Sequence, residues 1–170
     1  MKFYKIPWQW KELPSSLSQQ GEALKRVLLE WEGTPYFAGS ATKQGGVDCV
    51  RFICALFKEL EGQPLNNEII KLLPPDAAMH TKSGSIQVMK YILKLLDPIY
   101  EIEPPFVEPG DILVVGPTNG GPGHAMVVSP WKNVLVHAGT SEVCKTGFHL
   151  SVHYQKIFHV FRKGNRQCWA

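Results

Sequence analysis

No run of about 18 apolar residues occurs in this chain of 170 residues, so no membrane-spanning helix is expected. Its four cysteines, Cys49, Cys54, Cys144 and Cys168, form no CxxC pair and keep no regular spacing. That argues against a disulfide framework and points to a reduced compartment. There is no block of Lys and Arg interleaved with aromatics. The net charge is only +3, too weak to argue for nucleic acid. The N-terminus, Met1-Lys-Phe-Tyr-Lys-Ile-Pro-Trp-Gln-Trp10, lacks an uninterrupted apolar core and a small-residue cleavage site. No classical secretory signal is therefore expected, and the chain reads as cytoplasmic as synthesised. Internal repeats and low-complexity tracts are also missing. What remains is an ordinary globular composition, 44% hydrophobic and 19% charged, expected to form one domain over 1–170 with a proper core.

The order of elements predicts an α+β fold. Residues 1–15 read as an extended arm carrying Pro7, Pro14, Trp8 and Trp10, with the two Trp packed on the domain. Residues 16–31 show helical periodicity, with Ser15 or Ser16 as the cap and Gly33 and Pro35 as the stop. A second helix starts near Asp48 or Cys49 and carries Phe52, Ile53, Leu56 and Leu60 on one stripe. It reads as a core helix that exposes only its first turn. Residues 64–82 read as loop with one helical turn, and a third helix is expected at about 84–96, capped by Ser83. After residue 98 the texture changes. Glu103-Pro-Pro-Phe and Val107-Glu-Pro-Gly-Asp111 are turns. Strands are expected at 112–115, 124–128, 133–137, 148–154 and 157–161.

The informative residue is Cys49. It follows the loop Gly33-Thr-Pro-Tyr-Phe-Ala-Gly39 and the run Gly45-Gly46-Val47-Asp48, and it heads the second helix. A helix N-terminus favours a thiolate. Its contribution of at most about 2 kcal/mol shifts a thiol of pKa about 8.5 by only about one unit. An imidazolium must supply the rest. If 129–132 is a four-residue connection, Val128 opposes Asn133, Met126 opposes Leu135 and His124 opposes His137. Opposed residues share a face, so His124 becomes the candidate base and His137 the group that holds its ring. A slip of one residue would separate them. Tyr36 is a candidate contributor to the cleft. Asp48 reads equally as a helix cap. Arg51 sets a cation against the helix dipole and calls for a carboxylate partner or a substrate role.

Five segments, Gly33–Gly39, Gly46-Val-Asp-Cys49, Glu108-Pro-Gly-Asp111, Gly123-His-Ala-Met-Val-Val128 and Val136-His-Ala138, stand in the order and rough spacing of the NlpC-type cell-wall cysteine peptidases, which the chain resembles over about residues 22–162. The resemblance implies a papain-like fold and a Cys49–His124–His137 triad with no cofactor and no metal. It implies a peptidoglycan stem peptide as partner, cleaved at an amide, usually between γ-D-glutamate and the diamino acid. It assigns Tyr36 to the lining of the site and Asp48 to binding the substrate amine. Val50 and Arg51 stand where the family usually reads Ser-Gly, and Ser40 where it has a second Gly, so Val50 and Arg51 are the positions where substrate preference would diverge. The lack of binding repeats or a signal is more similar to phage-tail or intracellular members. Other readings of the same residues are zinc held by Cys49, His124 and His137, a binding module whose hydrolysis has lapsed, and amide or acyl transfer on a non-murein substrate.

Overall fold

The computed structural model describes residues 8–63, 65–73, 90–116, 123–148 and 156–170. The fold is α+β. Strands β1 (Gln9–Trp10), β2 (Ala41–Thr42) and β3 (Gly46–Val47) and helices α1 (Ser18–Trp31), α2 (Cys49–Leu60) and α3 (Asn67–Leu72) come first. Strands β4 (Ile99–Glu101), β5 (Phe106–Val107), β6 (Ile112–Gly116), β7 (His124–Val128), β8 (Val134–Ala138), β9 (Val143–Gly147) and β10 (Lys156–Lys163) follow. Six of them form one antiparallel sheet in the order β4-β10-β6-β7-β8-β9. None of the helices described here is long and apolar enough to cross a membrane.

Alternation along the strands sorts the core into two layers. Ile112, Val114, Ala125, Val127, Val136 and Ala138 face α1 and α2, where they meet Leu24, Leu28, Phe52, Ile53 and Leu56. Leu113, Val115, Met126, Val128, Leu135 and Val160 form the opposite layer, which Trp8 and Trp10 of the arm cover. Trp10 also donates its indole N–H to the Ser129 carbonyl at 3.2 Å, and β1 pairs in parallel with β5.

Helix α1 is entered through a 3-10 turn, Ser15–Leu17. Leu17 stands at the cap position with no side-chain bond, so neither Ser15 nor Ser16 caps the α-helix. Helix α2 begins where expected, capped by Asp48, whose Oδ1 accepts from the Arg51 N–H at 2.9 Å. Its first turn is buried along with the rest, contrary to the expectation of an exposed N-terminal turn. Of the third predicted helix, residues 90–95 are helical. Residues 84–89, Ser83 and the Gly120-Gly-Pro sequence lie outside the described residues, as does most of the strand expected at 148–154. The turn Glu108–Asp111 closes with the Asp111 N–H donating to the Glu108 carbonyl at 2.9 Å, with Pro109 second and Gly110 third at φ 90°. That is type II geometry. Asp111 leaves it to take both Arg162 Nε at 2.8 Å and Nη2 at 2.7 Å.

The β7–β8 hairpin differs from its predicted register. Val128 pairs with Leu135, and Val127 with Val136. The connection is still four residues, but it is 130–133 instead of 129–132, because the Ser129 N–H already donates to the Val134 carbonyl at 3.1 Å. Asn133 sits at φ 58° and is therefore a turn residue, not the first of the strand. Starting the loop one residue later moves the register by two, and an even shift keeps every side chain on its face. His137 thus lies diagonal to His124 instead of opposite it, on the same side of the sheet.

Candidate active site

The loop before α2 is a strap stitched at both ends. Gly33 N–H donates to the Val143 carbonyl at 2.9 Å, Val143 N–H to Thr34 at 2.8 Å and Tyr36 N–H to Ser141 at 2.8 Å. These bonds tie residues 33–36 to the start of the edge strand β9. Val47 N–H donates to the Pro35 carbonyl at 2.9 Å and Phe37 N–H to Val47 at 3.2 Å, which ties the strap to the residue two before Cys49. Gly46 has φ 109°, and a Cβ there would stand 2.5 Å from Phe37 Cβ, so the close crossing requires glycine. Tyr36 is half-buried against the helix-side core.

Asp48 has three donors. Besides the Arg51 N–H, its Oδ2 takes Gly39 N–H at 2.8 Å and Arg51 Nη1 at 2.8 Å. Arg51 also donates Nη2 to the Leu73 carbonyl at 2.9 Å and to Ile70 at 3.3 Å. Asp48 and Val50 are 0% exposed and Arg51 4%. The three residues expected at the substrate are turned inward here. The Asp48–Arg51 pair locks the strap to the helix start, and Arg51 has the carboxylate partner its position called for. Of the expected substrate residues, Tyr36 alone is partly exposed.

Cys49 is 2% exposed. Burial pushes its thiol up to about 12, and the adjacent Asp48 carboxylate adds to the rise. Backbone hydrogen bonding from Ala125, and from Val50 and Cys49 at the helix start, pulls the other way. The resting group is therefore a thiol. Desolvation outweighs the helix end, in keeping with the expectation that the helix end alone does not ionise the thiol. The Ala125 contact reveals how the thiol meets the sheet. The β7–β8 pairing ends at Val127 with Val136, and Ala125 lies beyond it. There the strands part, and the Cys49 sulphur takes the N–H that the ladder leaves. The thiol, coming from the helix side, thus reaches the strand at the residue after His124.

His124 and His137 meet as expected. His124 Nε2 and His137 Nδ1 are 2.8 Å apart, and the rings stand edge to face at 85°. His124 is buried and His137 half-buried. Burial lowers the His137 pKa from its ordinary value, which keeps that imidazole neutral near pH 7. The partner on its far side was missed from the sequence. His137 pairs in register with Cys144 on β9, and Cys144 Sγ lies 3.6 Å from His137 Nε2. Among the described residues no group of three or more His, Cys, Asp or Glu side chains is arranged to hold a metal ion.

The arrangement supplies a thiol that meets β7 at Ala125, the residue after His124, and a second imidazole bonded to that of His124. A thiol, a base and a group that holds the base's ring are the parts that proton transfer from sulphur requires. In comparisons with known proteins, no family model matches the chain, and no curated protein matches it.

Proposed function

We propose that the protein is a thiol hydrolase of the NlpC type with a papain-like arrangement, cleaving an amide of a peptidoglycan stem peptide. The observation that carries this reading is the Cys49 sulphur taking the Ala125 N–H beside a His124–His137 pair held at 2.8 Å. With His124 Nε2 turned to His137, Nδ1 is the nitrogen that receives the Cys49 proton. The sulphur attacks the amide carbon, and the developing oxyanion is met by backbone N–H groups at the start of α2, that of Cys49 among them. His124 then gives its proton to the leaving amine. A thioester on Cys49 remains, and water activated by His124 hydrolyses it. His137 stays neutral and accepts from His124 Nε2 while the imidazolium lasts. The bond after γ-D-glutamate is the proposed target, on the strength of the five matching segments.

The near-complete burial of Cys49 favours a second reading, a binding module in which hydrolysis has lapsed. Digestion of purified muropeptides by the wild type and by Cys49→Ala, read by mass spectrometry, separates the two. The proposal expects new fragments from the wild type only. A wild type that binds muropeptides and leaves them intact overturns it.

A further inference from the structure

The His124–His137 pair does not end at His137. Cys144 stands opposite His137 in the β8–β9 ladder, its sulphur 3.6 Å from the His137 Nε2. The same sulphur is packed in place. A Cβ added at Gly139 would lie 3.2 Å from Cys144 Sγ and 3.4 Å from His137 Cε1, so the turn between β8 and β9 closes over both groups.

A neutral imidazole carries one proton, and the ring nitrogen that holds it decides what the other can do. With the proton on Nε2, His137 offers Nδ1 as an acceptor, and His124 can donate its Nε2 proton to it. His124 Nδ1 is then free of a proton and able to accept from Cys49. With the proton on His137 Nδ1 the chain reverses. His124 must accept at Nε2, carry its proton on Nδ1, and cannot take one from the thiol. The productive state therefore needs an acceptor facing His137 Nε2.

We infer that Cys144 is a positioning residue: its sulphur accepts the His137 Nε2 proton and holds the ring in the tautomer that lets His124 act as base. This inference rests on the thiol-hydrolase reading for its consequence, but the tautomer itself does not depend on any substrate. Cys144 is half-buried, and its thiol pKa is raised by burial first and then by the Glu142 and Glu32 carboxylates. It therefore stays a neutral thiol, a weak acceptor. Cys144 never reaches the reacting atoms, so its removal changes turnover without changing substrate binding.

The test is 15N NMR of protein labelled at histidine, comparing wild type, Cys144→Ala and Cys144→Ser, with His137 assigned from the His137→Gln spectrum. The wild type is expected to hold His137 as the Nε2–H tautomer. Cys144→Ala should show a mixture of tautomers, and Cys144→Ser, which restores an acceptor, should return the single state. An Nδ1–H tautomer in the wild type, or an unchanged spectrum in Cys144→Ala, overturns the inference. In turnover of muropeptides, Cys144→Ala should lose about tenfold in kcat, equivalent to about 1.4 kcal/mol, at unchanged KM, with Cys144→Ser largely rescued. Full kcat in Cys144→Ala overturns the inference as well. If the wild type cleaves no muropeptide, the functional reading fails, while the tautomer spectra still decide the role of Cys144.

Discussion

Asp48→Asn separates what the buried pair does for stability from what it does to the thiol. In the wild type, Asp48 meets Arg51 Nη1 at 2.8 Å with both side chains almost fully enclosed. Asparagine keeps an oxygen for the helix cap but leaves the Arg51 guanidinium without the carboxylate it faces. Breaking a buried ion pair from one side costs about 3–5 kcal/mol. At about 2–4 °C per kcal/mol for a chain of this size, Tm should fall by about 6–20 °C. The double variant Asp48→Asn/Arg51→Met removes both charges and should recover most of the loss, since replacing a whole buried pair is often neutral. The same substitution acts on Cys49. Asp48 is among the causes that raise the thiol, so its neutral replacement should move the pH profile of Cys49 alkylation to lower pH. Urea unfolding of the three proteins and peptide-level mass spectrometry after iodoacetamide treatment read both effects. An Asp48→Asn protein within 1 kcal/mol of wild type, or a double variant no better than the single, would refute the structural role.

Cys49 and Cys54 are equally buried, and both thiols are pushed up to about 12. If His124 serves Cys49 as a base, iodoacetamide should modify Cys49 well before Cys54 at pH 6–7, and His124→Ala should erase the difference; equal rates in the wild type would remove the case for activation. Burial holds the folded-state pKa of His137 below the unfolded value, so the unfolded chain binds more protons between the two values. Stability at this residue is present above about pH 6.5 and is lost as pH falls through the folded pKa, with a slope of at most about 1.4 kcal/mol per pH unit. Urea midpoints from pH 7.5 to 5 should show a shallower acid slope in His137→Gln than in the wild type. Gly110→Ala would set a Cβ 2.3 Å from Trp169 Cη2 at a φ of 90°, and should lower stability by more than about 3 kcal/mol in chemical denaturation.

Much of this architecture was legible in the chain because periodicity and turn chemistry agreed. The stripe of α2, the cap at Asp48, the strand at β6 and the turn around Pro109 and Gly110 all follow from local residue types. The face shared by His124 and His137 was legible too, although its register was displaced by two, because side-chain direction depends only on whether the offset is odd or even. Asn133 held the missing information, as a residue tolerant of left-handed backbone at the end of the loop. Strand β9 escaped notice because Val143-Cys-Lys-Thr-Gly147 is an edge strand, exposed at every second residue and carrying Lys and Gly where a central strand would carry Val or Ile. With it went Cys144 as the partner of His137. The burial of Cys49, Val50 and Arg51 was not legible. It depends on the strap, on the carbonyls of Ile70 and Leu73, and on strands more than 60 residues away along the chain.

The proposed hydrolysis requires a covalent acyl intermediate on Cys49, formed with the help of His124 and His137. Intact-mass and peptide mapping of the protein, acid-quenched during turnover of muropeptides, test it directly. An adduct on Cys49 with the mass of the acyl half of the cleaved stem peptide is expected, with neither adduct nor cleavage in Cys49→Ala. Cleavage that survives in Cys49→Ala would contradict it.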